Sequence, residues 1–212
     1  MENNETDKNS GTIYDDVIRT ECERHSEFLI ALVNYAFQTN YGKGAKVELL
    51  SDMHHDAISK RMDLRVTDAF FRITENGASK VYHLECQSGG DSTMVVRIME
   101  YDFLIALEQM AKDVGAGKYE ADLHLPETMV LYLRHAENMK DRFTVHIHHK
   151  GQCMDYEAPI VKAQAIGLQE MLDRELYILL PFYLMRYEEE IKRTEDVGMV
   201  EEEIRTIVGM LE

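Results

Sequence analysis

The sequence predicts an α/β fold: a central mixed sheet flanked by helices, followed by a C-terminal helical extension. Three observations predict it. Helical periodicities and strand-like runs are interspersed, in the order helix, three strands, helix, strand, further strands, helices. Thr128–Leu133 (TMVLYL) is a continuous apolar run, the pattern of a strand buried on both faces. Asn76-Gly77 lies between two runs rich in β-branched and aromatic residues, a strong hairpin signal. The 212 residues fit one domain able to bury a core without disulfide or metal staples.

The elements follow in order. Residues 1–13 form a polar leader, expected to fray. The domain is expected over residues 14–187. From Tyr14, the residues Val17, Ile18, Phe28, Leu29, Leu32, Val33 and Phe37 recur at helical spacing until Asn40-Tyr41-Gly42 supplies turn chemistry. Lys46–Leu50 is a short strand and Ser51–Arg61 a loop. Leu64–Thr74 and Lys80–Gln87 are the two hairpin strands. Asp91-Ser92 can cap a helix over Thr93–Val114, with an apolar stripe of Val96, Met99, Phe103, Leu104, Leu107 and Met110, stopped by Gly115 and Gly117. Phe143–His148 alternates, and Lys150-Gly151-Gln152 turns it into Cys153–Glu157. Ile160–Ala165 reads as one more short strand, and everything from Leu168 reads as helix. The last segment, 188–212, is an acidic amphipathic helix whose apolar stripe (Val197, Val200, Ile204, Ile207, Val208, Leu211) must bury against something. It is expected to pack on a second copy, giving a homo-oligomer, or to project from the core.

Composition excludes several classes. Hydrophobic residues at 45% and charged residues at 29% exclude wholesale disorder. No run approaches the roughly 18 apolar residues of a membrane span, and the start lacks the apolar stretch of a secretory signal. The expectation is a cytoplasmic protein without a membrane partner. Three widely spaced cysteines, Cys22, Cys86 and Cys153, fit reduced thiols. The net charge of −16 argues against a broad basic grip on nucleic acid. Half of that excess sits in the leader and the tail, leaving −8 on Tyr14–Tyr187.

The hairpin carries the sharpest chemistry. Strand side chains alternate faces, so Val81, His83, Glu85 and Gln87 share one face and Tyr82, Leu84 and Cys86 the other. Val66, Asp68, Phe70 and Arg72 share a face of the outgoing strand. Pairing around Asn76-Gly77 brings Asp68 and Glu85 together, with carboxylates on the order of 4–6 Å apart; they repel unless a cation lies between them. A hard divalent ion resolves the conflict. The alternative is a merely solvated strand face. Asp63 rivals Asp68, but its spacing suits a tight hairpin less well. His146 and His148 share a strand face with no third ligand type at strand spacing, and His54-His55 falls in a loop; solvated histidines are the plainer reading of both. Cys86 points to the core side, and the thirteen Met read as core filler.

Three stretches of residues resemble a known family. They are Thr67-Asp68-Ala69-Phe70-Phe71-Arg72-Ile73, then His83-Leu84-Glu85-Cys86-Gln87-Ser88, then Met94-x-x-Arg97-x-x-x-Tyr101. Together they resemble the PD-(D/E)XK nuclease superfamily, in its recombination-promoting nuclease and putative transposase branch. Asp15-Asp16-Val17-Ile18-Arg19 looks like the family's opening Asp-x-x-Phe-Lys, with Ile where Phe is usual. The resemblance runs from about Asp15 to Tyr187. It implies a restriction-endonuclease-like core and Mg2+-dependent (or Mn2+-dependent) hydrolysis of DNA phosphodiester bonds, linked to recombination or mobile elements. It implies that Asp68, Glu85, the backbone carbonyl of Cys86 and Asp15 hold the metal, and that Asp68, Glu85 and Gln87 are catalytic. Arg97 and Tyr101, one helical turn apart, would meet the DNA. Gln87 stands where most of the superfamily has Lys. The alternative is a catalytically inactive module of the same fold that serves protein association. Relatives of the branch usually continue further, so the chain is also expected to be a fragment or to lack a partner for its last helix.

Overall fold

The computed structural model describes residues 13–50, 69–87, 93–113, 120–134, 138–187, 193 and 198–211. Within them the fold is α/β, with a six-stranded mixed sheet between helical layers. Helices α1 (Ile13–Arg24) and α2 (Phe28–Phe37) precede strand β1 (Lys46–Leu49). Strands β2 (Ala69–Glu75) and β3 (Ala78–Gln87) form the hairpin, and helix α3 (Met94–Asp113) crosses to β4 (Glu127–Tyr132). A second hairpin, β5 (Arg142–His149) and β6 (Gln152–Lys162), closes the sheet. The strand order is β1-β2-β3-β4-β6-β5. β4 runs parallel to both β3 and β6; the other pairings are antiparallel.

Local chemistry sets both hairpins. A two-residue loop matching the twist of its strands needs positive φ at both positions. Asn76 and Gly77 have φ of 53° and 80°, and Lys150 and Gly151 have 48° and 78°. The first loop fixes the register Phe70 opposite His83 and Ala69 opposite Leu84. β4 is central and buried from Thr128 to Tyr132, as its unbroken apolar run predicts.

The sheet has two unlike faces. On one, Phe71, Ile73, Tyr82, Leu84, Cys86, Met129 and Leu131 pack against Ile18, Leu29, Leu32 and Val33 of α1 and α2 and against the C-terminal segments. Each fully buried large side chain there contributes about 1.5–3 kcal/mol. On the other, α3 lies over the sheet through Met94, Ile98, Tyr101 and Ile105, meeting Phe70, Val130 and Tyr132.

Several sequence expectations need correction. The first helical pattern is two helices, because the polar run Glu23–Glu27 offers the core nothing to hold across the break. The expected stripe of α3 is not its buried face: Val96 is 61% and Leu107 44% exposed, while Ile98, Tyr101, Asp102 and Ile105 are buried. α3 is apolar on several sides, so periodicity alone does not choose the face. Ile160–Ala165 is not a separate strand. β6 runs unbroken through Pro159, which sits where the strand leaves β5 and joins β4, so its missing N–H interrupts neither ladder. The segment after Leu168 is not continuous helix. Helix α4 (Leu168–Asp173) ends near Glu175, which has φ of 56°, and α5 (Leu180–Tyr183) lies between 3-10 turns at Tyr177–Leu179 and Leu184–Tyr187. Helix α6 (Gly198–Leu211) docks on its own chain. Ile207 packs on the apolar core and the Tyr187 hydroxyl donates to Glu203 Oε1 at 2.7 Å, leaving Ile204 and Val208 outside. No described helix is long and apolar enough to cross a membrane.

Candidate functional site

The site grows from the α3 face of the sheet. β3 alternates, so His83 and Glu85 enter the space beneath α3, and both are fully buried. Burying ionisable groups is costly unless partners satisfy them. The partners come from α3, β4 and β6, and they divide into two linked groups.

The first group surrounds Glu85. Its Oε1 accepts from Gln87 Nε2 at 2.6 Å and from the Arg97 guanidinium. Gln87 reaches it because residues two apart on a strand share a face. Arg97 reaches it from the first turns of α3. Among the described residues, Glu85 Oε2 is buried with no hydrogen-bond partner, 3.8 Å from His83 Nε2, which has none there either.

The second group surrounds Asp102, a carboxylate on the buried side of α3. Its Oδ1 lies 2.7 Å from His83 Nδ1. Its Oδ2 accepts from Thr128 Oγ1 at 2.5 Å and from the Tyr156 hydroxyl. A carboxylate oxygen accepts, so the Thr128 and Tyr156 hydroxyls are the donors to Asp102 Oδ2. Burial, and then the Asp102 charge, push the Tyr156 hydroxyl well above its usual range and keep it a donor. Phe70 stacks on the His83 ring with centroids 4.1 Å apart, and Tyr101 meets it edge-on at 6.2 Å. In the neutral ring, a proton on Nδ1 shared with Asp102 leaves Nε2 as the acceptor facing Glu85.

The site residues nominated from sequence fall as follows. Glu85, Gln87 and Arg97 come together, and Tyr101 lies on the same face through His83. The solvated-face reading of Glu85 is wrong, since no part of it is exposed. The Cys86 side chain is buried in the apolar face, as parity predicts. Asp15 lies in α1, but its side chain is outside the described residues, as are Asp68, its rival Asp63 and the pair His54-His55.

Four participants were missed. His83 stands inside the third-strand motif, and its parity with Glu85 is the one signal the sequence carries for it. Asp102 falls on the buried face only once that face is known. Thr128 and Tyr156 come from distant strands, and no local pattern marks them. Comparison of the chain with family models, with curated proteins and with solved structures finds no match in any of the three.

Proposed function

We propose that the chain is a Mg2+-dependent DNA endonuclease with a restriction-endonuclease-like core, of the recombination-promoting nuclease kind, serving recombination or mobile elements. One observation carries the reading. Glu85, Gln87, Arg97 and Tyr101, the described members of the resemblance, gather on one sheet face around a buried carboxylate. The donor chemistry fits the metal: Glu85 Oε2 is a buried oxygen with no hydrogen-bond partner among the described residues, and carboxylate oxygens suit hard divalent ions. Glu85 would hold the ion with Asp68, the Cys86 carbonyl and Asp15. The reading therefore requires the β2–β3 ladder to run one pair beyond Ala69–Leu84, to Asp68 opposite Glu85.

When bound, Mg2+ (or Mn2+) would lower the pKa of water and stabilise charge on the phosphate. The chain's own residues divide the rest. Gln87 cannot take a proton, so it orients water or donates to a phosphoryl oxygen. His83, its ring held by Asp102 and its Nε2 3.8 Å from Glu85 Oε2, would accept a proton there in the tautomer that carries its own on Nδ1. Arg97, whose side chain is 23% exposed, brings positive charge toward the phosphate.

A second reading has its own observation. Glu85 has no exposed surface and already holds Arg97, which suits a non-catalytic association module with a structural network. Nicking of supercoiled plasmid by the full chain decides between them. The nuclease reading expects nicking with Mg2+ or Mn2+, none with chelator, and loss in Asp68→Asn and Glu85→Gln. Gln87→Lys, which restores the superfamily's commoner residue, should retain activity. A folded parent that leaves plasmid intact in both metals supports the module instead.

A further inference from the structure

The second hairpin carries a separate cluster. On β5, His146 and His148 point to one face; on β6, Cys153 and Asp155 stand opposite them in register, His146 with Asp155 and His148 with Cys153. Four metal-ligand side chains thus occupy a two-by-two block. The ligand atoms of His146, Cys153 and Asp155 lie within 4.8 Å of one another, and the two histidine rings are 6.5 Å apart. His146 Nδ1 is 2.6 Å from Asp155 Oδ1, and Cys153 Sγ lies 3.7 Å from the same oxygen.

We propose that the β5–β6 hairpin binds one Zn2+ through His146, Cys153 and Asp155, with His148 as the fourth ligand. Donors of type N, N, S and O are the set zinc takes, in tetrahedral geometry, whereas Mg2+ avoids thiol and imidazole. Zinc bonds of about 2.0–2.3 Å separate adjacent ligand atoms by roughly 3.3–3.8 Å. The three clustered atoms already lie within 4.8 Å of one another, and the His146–Asp155 hydrogen bond would open around the ion. All the ligands belong to one hairpin, so the site forms whenever that register forms. Sequence spacing alone could not show it, because the third ligand type comes from the return strand. The inference is independent of the nuclease reading and uses none of its residues.

The test is titration of the full chain with Co2+, a spectroscopic stand-in for Zn2+, followed by displacement with Zn2+. The expected result is one tightly bound Co2+ with a thiolate charge-transfer band in the near ultraviolet, unaffected by excess Mg2+. Cys153→Ser should abolish the band. His146→Ala should weaken Zn2+ binding at least tenfold, in keeping with the sensitivity of metal sites to their immediate partners. Zn2+ should also protect Cys153 from alkylation in the parent. Both variants lie on an exposed strand pair, and circular dichroism checks their folding. A parent that shows no thiolate band and no protection overturns the proposal. So does binding that neither variant changes, which would place the ion elsewhere on the chain.

Discussion

Adjacent residues of β3 enter two different environments. Tyr82, Leu84 and Cys86 face a layer of apolar side chains; His83 and Glu85 face α3 and a set of carboxylates, hydroxyls and a guanidinium. The first face gains stability from every residue it buries. The second takes ionisable groups out of water and must offset the cost with partners. Well-packed apolar residues of similar volume often serve stability as well or better, by about 1–4 kcal/mol. Stability alone therefore explains the first face and does not explain the second.

The comparison can be broken by substitution, and the largest effect belongs to the apolar face. Leu84→Ala should cost about 2–5 kcal/mol, read as a lower denaturant midpoint at unchanged slope. A cost under about 1 kcal/mol would mean that this layer is not the core. Next comes Arg97→Met, which leaves the Glu85 carboxylate to Gln87. Removing one partner of a buried pair costs roughly 3–5 kcal/mol, and partial exposure of Arg97 brings the expected value to about 2–3 kcal/mol.

Two tyrosines sharpen the contrast. Tyr156→Phe deletes a hydrogen bond to a charged carboxylate and should cost about 1.5–3 kcal/mol. Tyr82→Phe deletes the neutral bond between the Tyr41 and Tyr82 hydroxyls, 2.8 Å apart, and should cost about 0.5–1.5 kcal/mol. Equal costs would erase the distinction between the faces. Both hydroxyls are raised above the ordinary value of 10.0, each by burial first; Tyr41 then adds to the shift of Tyr82 and Asp102 to that of Tyr156. A raised folded-state value gives stability that is complete below pH 10 and lost as pH climbs toward the folded value. Each Phe variant should therefore lose stability less steeply than the parent above pH 10.

The smallest effect is kinetic and needs no substitution. Cys22 is buried and its thiol is pushed up to about 12, by burial first and then by Glu21 and Glu23. Cys153 is exposed, although it is also raised. Alkylation followed by mass spectrometry should label Cys153 before Cys22 and Cys86. Labelling of Cys86 first would mean that the apolar face opens more readily than its packing allows.

The fold was legible where local chemistry decides structure. Asn76-Gly77 dictated a two-residue turn, and the Thr128–Leu133 run dictated a central strand. It was not legible where an element has two plausible faces. α3 could bury either side, and Asp102, which belongs beneath it, reads in sequence as a solvent residue. Strand parity puts Glu85 and Gln87 on one face, whereas Arg97 and Tyr101 are nominated only by the motif they resemble; the structure gathers the four on one side of the sheet. Asp102, Thr128 and Tyr156 were not, because only the order β3-β4-β6 brings their strands and helix together. The His146, Cys153 and Asp155 cluster was half legible: the histidines declare a face, and the register supplies the other ligands.

The measurement that bears most directly on the two-face account is a paired assay of Leu84→Val and Glu85→Gln, neighbours on one strand and opposite in face. Melting and Mg2+-dependent plasmid nicking are followed in the full chain. The expected result is a split. Leu84→Val lowers the melting temperature and nicks at the parent's rate while folded. Glu85→Gln stays folded at the assay temperature and loses nicking by about a hundredfold or more, the scale of weakening the hold on an ion that would stabilise transition-state charge. Nicking by folded Glu85→Gln at the parent's rate would contradict the account.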